Sequence, residues 1–207
     1  MTNNNEMKDH WESIYRIKGL KEVSWFQEQP KASWELMRLL EIKKDAAIID
    51  VGGGDSLFVD FLLAQGFSNV TVLDISGKAI SRAKERLGAK AGTVKWIVSD
   101  VTDFIPAQKY DLWHDRAVLH FLSEKTNINR YVEIARQALN VNGKMICGAF
   151  SEDGPEKCSG LTVKRYSEVE MCAQFRNYFS KIKCIFEKHV TPFKTIQNFI
   201  FCGFQLV

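Results

Sequence analysis

Apolar and polar positions along this chain alternate between two periods. In 9–17, Trp11, Ile14 and Tyr15 recur at i, i+3 and i+4, the spacing of one helix face, and 32–40 repeats that pattern just after Pro30. From residue 46 onward, short apolar runs are separated by amphipathic stretches. The pattern predicts a strand at 46–51, a helix at about 56–65 stopped by Gly66, a strand at 70–73 and a helix at 77–87 ended by Gly88. Strands at 94–98 and 110–113, a helix at roughly 124–139 and a strand at 144–150, entered through Asn142-Gly143, complete the series. Strands alternating with helices of this length predict a parallel sheet with right-handed crossovers. The C-terminal part departs from that rule. After a helix near 167–178, strand-like segments 182–189 and 195–206 are joined only by a turn at Thr191-Pro192. A connection so short cannot be a parallel crossover, so the last strand is expected to run antiparallel to its predecessor. The fold class is α/β, a doubly wound, mostly parallel sheet.

Composition narrows the picture. The chain has 207 residues, 45% hydrophobic and 26% charged, enough to bury a core and too ordinary for disorder or fibrous repeats. With no repeat or Pro/Gly/Ser linker, a single domain over 1–207 is expected: N-terminal helices in 1–45 and a core in 46–207. A net charge of +3, with no Lys/Arg run interleaved with aromatics, gives no reason to expect a nucleic-acid partner. Apolar runs are far shorter than a membrane span needs, and the polar, acid-bearing N-terminus resembles neither a signal nor a transit peptide, so a cytoplasmic location is expected. Five cysteines, at 147, 158, 172, 184 and 202, show no CxxC spacing. They are expected to be reduced, most of them as small core residues, with no metal site.

The segment richest in chemistry is Ile48-Ile49-Asp50-Val51-Gly52-Gly53-Gly54, a strand running into three glycines and then a helix. Such a loop is either a plain turn or a place where backbone and helix N-terminus approach a ligand. Asp74 and Asp100 stand at the C-terminal ends of the next two predicted strands, the edge where open α/β sheets bind ligands. A dinucleotide site fits poorly. Leu57 occupies the position of the third fingerprint glycine, and Asp50 would repel a pyrophosphate while suiting an ammonium group.

Asp50-Val-Gly-Gly-Gly54, Val72-Leu-Asp74, Val98-Ser-Asp100-Val101 and Ala138-Leu-Asn-Val-Asn-Gly143 resemble the successive motifs of the class I S-adenosylmethionine-dependent methyltransferases, in order and spacing over essentially the whole chain. The resemblance implies a Rossmann-like, seven-stranded sheet with an antiparallel last strand, and S-adenosylmethionine as cofactor. It implies that Gly52, Gly53 and Gly54 approach the methionine moiety, that Asp50 helps place its amino group, and that Asp74, followed by Ile75, accepts from the ribose hydroxyls. It further implies that Asp100 takes the adenine amino group, with the Val101 N–H near a ring nitrogen. Ser56 stands where the family often has another glycine.

His10-Trp11-Glu-Ser-Ile-Tyr15, Val23-Ser-Trp25-Phe-Gln27 and Trp113-His114-Asp115-Arg116-Ala117 are similar to segments of thiopurine-type methyltransferases, with Tyr15 replacing a second tryptophan. That similarity implies that Trp11, Tyr15 and Trp25 fold over the cofactor and that Arg116 lies near cofactor or acceptor. The other reading of Trp11 and Tyr15 is a helix stripe packed on the sheet. His114, Asp115 and Arg116 are the candidate catalytic residues. His114 is either a base for the acceptor or a residue packed beside the cofactor. His120 and His189 receive no role.

The loop 153–161, with Arg165 and Tyr166, is the candidate acceptor-site lid. Its Cys158 is either an ordinary exposed thiol or a soft ligand for a metalloid. The expected activity is methyl transfer to a small molecule such as a thiol, selenol or metalloid. The alternatives are a protein lysine methyltransferase and a cofactor-binding module without catalysis. Oligomeric state is not readable.

Overall fold

The computed structural model describes residues 4–207. Helices α1 (Asn4–Ile17) and α2 (Lys31–Leu39) precede β1 (Ile48–Val51), α3 (Phe58–Ala64), β2 (Val70–Asp74), α4 (Gly77–Leu87), β3 (Val94–Val98) and β4 (Tyr110–Arg116). Then come α5 (Lys125–Ala138), β5 (Leu139–Phe150), a two-residue hairpin of β6 (Lys157–Cys158) and β7 (Leu161–Thr162), α6 (Glu168–Phe175), β8 (Phe179–Val190) and β9 (Ile196–Leu206). Seven strands form one sheet in the order β3-β2-β1-β4-β5-β9-β8, with β9 antiparallel to both its neighbours. This is the α/β arrangement expected from the sequence, including the antiparallel last strand. The order reverses between β1 and β4, which opens a crevice at their C-terminal ends.

Both faces of the sheet are covered, and every residue of β1 and β2 is buried. Leu36, Met37, Phe58 and Leu62 of α2 and α3 pack with Ile48, Ile146 and Phe201 on one face. Tyr131, Ala135, Met171 and Phe175 of α5 and α6 pack with Trp113, Met145 and Phe204 on the other. Helix α1 is fixed from both ends of its contact with α4. Glu12 accepts from the Gly77 and Lys78 N–H groups at the start of α4, and Arg82 donates to the carbonyls of Tyr15 and Lys18. A carboxylate at a helix N-terminus and a guanidinium at a C-terminus are the favourable pairings for unsatisfied helix ends.

Three boundaries differ from the sequence expectation. Strand β4 continues to Arg116, three residues beyond the predicted end, because the β1 and β5 ladders pair His114, Asp115 and Arg116 despite their charge. Strand β5 starts at Leu139, and the predicted Asn142-Gly143 turn is an excursion in its ladder: pairing jumps from Tyr110–Leu139 to Leu112–Lys144, and Asn142 has φ +61°. Cys184 and Cys202 are not reduced thiols. They occupy directly opposed positions on β8 and β9, with Cα atoms 4.1 Å apart, and form a disulfide; Cys147, Cys158 and Cys172 are free. No described helix is long and apolar enough to cross a membrane.

Candidate active site

The crevice at the strand ends opens into a cavity of about 520 Å³, walled by the loop after β1, the ends of β2 and β4, the turn after β3 and the aromatic N-terminal segment. Of the residues expected to hold a cofactor, Trp11, Tyr15, Trp25, Asp50, Gly52, Gly53, Asp74, Ile75, Asp100, Val101 and His114 all line it. Gly54 lies behind this wall, where it lets the loop turn.

The glycines are required by geometry. Gly54 has φ +39°, and a Cβ there would lie 2.6 Å from Asp74 Oδ2; a Cβ on Gly53 would run into Asp50 Oδ2 and come within 2.9 Å of Val72. Both missing side chains leave carboxylate oxygens facing the loop.

Asp50 is the most constrained acid. It is 2% exposed; the His114 Nδ1–H donates to its Oδ1 at 2.7 Å, while Oδ2 is buried with no partner among the described residues. Ser33 of α2 contacts the other ring nitrogen, Nε2, at 2.8 Å, and Phe58 stacks on the imidazole with centroids 4.0 Å apart. A carboxylate accepts only, so the proton between Asp50 and His114 sits on Nδ1, while Nε2 is hydrogen-bonded to the Ser33 hydroxyl. Both nitrogens of His114 are thereby engaged.

Asp74 is 5% exposed and accepts from the Ser76 N–H at 2.8 Å. Burial, opposed by that hydrogen bond and reinforced by the charges of Asp50 and Glu12, raises its pKa to about 7. Asp100 uses Oδ1 to accept from both the N–H and the hydroxyl of Thr102, so it caps the short turn as well as lining the cavity. The aromatic segment packs on itself and lines the cavity. Trp11 packs edge-on against Trp25 (5.6 Å) and Phe121 (5.1 Å) and lies 6.2 Å from Tyr15, while all four rings face the cavity. Burial keeps the Tyr15 phenol neutral, its pKa raised well above the ordinary value.

Strand alternation separates the three candidate catalytic residues. His114 and Arg116 point to the cavity side and Asp115 to the other. Asp115 is fully buried, accepting from the Val118 and Leu119 N–H groups and from the Tyr131 hydroxyl at 2.6 Å, whose oxygen in turn accepts from Trp113. Its pKa is pushed up to about 6 by burial. Its catalytic assignment is therefore corrected: Asp115 holds the chain turn after β4 and does not reach the cavity.

Arg116 donates from Nη1 to the Trp25 carbonyl at 2.9 Å and lies over the Phe199 ring at 5.4 Å. Its Nε and Nη2 are buried with no partner among the described residues. Burial lowers its pKa, offset by the charge of Glu187.

Of the loop 153–161 with Arg165 and Tyr166, only Cys158 lines the cavity. Ser159 and Gly160 both have positive φ, which makes the tight turn of the β6–β7 hairpin and aims Cys158 inward. Cys158 is 6% exposed and lines the cavity, so it is not the exposed thiol of one sequence reading; burial pushes its pKa up to about 12. Arg165 instead pairs with Glu156 at the surface, and Tyr166 is buried in the core. The sequence offered no signal for Ser33 or Glu12. His189, given no role, donates to the Ser24 carbonyl at 2.8 Å and helps hold the Trp25 segment down.

Residues 49–145 match the family model described as a methyltransferase domain. The chain is 25% identical over 151 residues to the eEF1A lysine and N-terminal methyltransferase of Bos taurus, covering 70% of this chain and 21% of that protein. It is 29% identical over 109 residues to malonyl-[acyl-carrier protein] O-methyltransferase 1 of Ilyobacter polytropus, covering 52% of this chain and 39% of that protein. It thus spans well under half the length of these relatives. Among solved structures, the 1,6-didemethyltoxoflavin-N1-methyltransferase of Burkholderia thailandensis, with bound 1,6-didemethyltoxoflavin and S-adenosylhomocysteine, superposes with a TM-score of 0.73 at 17% identity, covering 97% of this chain and 87% of that one.

Proposed function

We propose that this chain, which carries the fold of class I S-adenosylmethionine-dependent methyltransferases, transfers the methyl group of S-adenosylmethionine to a small acceptor that binds as an anion. The observation that carries the reading is a pair of buried groups without hydrogen-bond partners among the described residues, on two residues that line one cavity. They are Oδ2 of Asp50, whose Oδ1 pairs with His114, and Nε and Nη2 of Arg116, whose charge Glu187 offsets only in part. Buried charged atoms without partners are costly, so the cavity favours a cation at the first and an anion at the second.

The residues fit the cofactor. Asp50 would take the methionyl ammonium, Asp74 the ribose hydroxyls, Asp100 the adenine amino group, and Gly52–Gly54 the close backbone approach. When bound, S-adenosylmethionine supplies a methyl carbon already activated by a sulfonium. What the chain adds is placement and exclusion of water. Trp11, Tyr15 and Trp25 present aromatic faces that suit a cation. Arg116, tied to the Trp25 carbonyl, would hold the acceptor's negative charge beside that carbon. A thiolate, selenolate or carboxylate has its attacking lone pair free and requires no base, which suits a cavity whose one histidine is fully engaged. The aromatic N-terminal segment and the run Trp113–Ala117 support the finer kinship with thiopurine-type enzymes. The direct test is S-adenosylhomocysteine release with a panel of thiols, selenite, small carboxylates, amines and lysine peptides. Turnover with small anionic acceptors supports the reading, turnover confined to lysine peptides replaces it, and none with any class or with cell lysate leaves a binding module.

Asp74 makes cofactor binding pH-dependent. In the free protein it keeps its proton up to about pH 7, whereas an unfolded aspartate loses it near 4. The free fold therefore loses stability as pH rises from about 4 to 7, because the unfolded chain has already released that proton. Ribose hydroxyls donate to the ionised carboxylate, so binding below pH 7 should release a proton. Affinity should climb toward pH 7 and level off above it. Calorimetry in buffers of different ionisation enthalpy measures the release, and Asp74→Asn should abolish it together with the pH slope.

A further inference from the structure

Away from the cavity, three sulfurs converge. Cys184 and Cys202 face each other across β8 and β9, and Cys172 on the overlying α6 brings its Sγ within 4.8 Å of both. Cys202 is buried, while Cys172 and Cys184 are half-buried, so the cluster is reachable from solvent. No His, Asp or Glu donor joins it among the described residues. Cys147 continues the row on β5, opposite Cys202, but its sulfur lies with Tyr131 and Asp115 and is not among the three. Burial raises the pKa of the Cys172 thiol, against which the ammonium of Lys181 acts, itself paired with a Glu168 carboxylate that adds to the rise.

We propose that, with the Cys184–Cys202 disulfide reduced, Cys172, Cys184 and Cys202 form a three-thiolate site for a soft monovalent cation, with cuprous ion as the representative occupant. Thiolates select soft ions over hard ones. A structural zinc site would be one ligand short, whereas a planar three-sulfur unit with bonds of about 2.3 Å has edges of about 4.0 Å. Cys172 Sγ already lies within 4.8 Å of the other two sulfurs, and reduction frees the bonded Cys184–Cys202 pair to separate to that distance. A dithiol reductant converts the disulfide to two thiols and is itself oxidised to a disulfide. The cation then displaces three thiol protons and forms three metal–sulfur bonds. Oxidation, which joins two of the three donors, closes the site, so occupancy follows redox state.

The test is anaerobic titration of the dithiol-reduced, desalted full chain with Cu(I) against a chromophoric Cu(I) chelator. The reduced protein should withdraw one equivalent and develop ultraviolet thiolate–copper absorption, and the unreduced protein should withdraw none. Cys172→Ser, at a half-exposed helical position, should weaken binding by at least the roughly 10–100-fold that even an outer partner of a metal site is worth. Cys184→Ser should do the same, and Cys158→Ser should have no effect. Equal uptake by wild type and Cys172→Ser, uptake by the unreduced protein, or no uptake at all would overturn the proposal.

Discussion

Arg116→Ala is expected to lower kcat/KM for an anionic acceptor by roughly 10–150-fold, the equivalent of losing a charged hydrogen bond worth about 1.5–3 kcal/mol. The guanidinium already spends Nη1 on the Trp25 carbonyl and its face on Phe199, which fixes the plane in which Nε and Nη2 project. That adjacent pair matches a two-oxygen anion better than a point charge does. Arg116→Lys should accordingly recover part of the rate for a thiolate and little for a carboxylate. An amine acceptor attacks in its uncharged form and gains no charge attraction from the guanidinium, so its kcat/KM should fall far less in Arg116→Ala. Steady-state kinetics with acceptors of both charge types separates the cases. Affinity for S-adenosylmethionine, measured by calorimetry, should change little. A mutant with unaltered kcat/KM for every anionic acceptor would remove the basis for an anionic substrate.

How much of this was legible in the sequence depended on whether the signal was local. Asp50, the glycine loop, Asp74 and Asp100 were readable because each acid stands at or within two residues of the end of an apolar run, on the sheet edge where ligands bind. The antiparallel β9 was readable from the short turn before it. Strand β4 was cut short because His114-Asp115-Arg116 looks like the polar start of a loop, yet period-two alternation then sends Asp115 into the opposite core. Contacts between distant segments left no trace: Ser33 to His114 is 81 residues, Glu12 to Gly77 is 65, and the disulfide closes 18. Cys158 was misjudged because a Gly/Pro/Ser-rich loop reads as surface, whereas its hairpin folds the thiol inward. Tyr166 erred the other way. Standing just after that loop, it reads as part of a lid, but a bridge to Ser151 draws it into the core.

His114→Ala is expected to weaken S-adenosylmethionine binding by roughly 10–150-fold, because the charged hydrogen bond it removes is worth about 1.5–3 kcal/mol. It should also destabilise the free protein by about 3–5 kcal/mol, the cost of leaving a buried charge without its partner. The reason lies in the arrangement around Asp50. With Oδ2 unpartnered, His114 is the only described side chain hydrogen-bonded to that carboxylate, and Ser33 and Phe58 fix the ring that supplies the bond. If His114 serves as a positioning residue for Asp50, His114→Asn should restore most of the affinity, since an amide N–H can take the place of Nδ1–H. Ser33→Ala, which frees the ring without removing it, should have a smaller effect in the same direction. Single-turnover rates at saturating cofactor should stay close to wild type in His114→Asn, with no loss of an acidic limb from the pH profile. A base acting on the acceptor would behave differently: His114→Asn would then bind cofactor normally and lose the chemical step, with the pH dependence of that step flattened. Calorimetric affinity and single-turnover rate on the same three variants therefore decide between positioning and proton transfer.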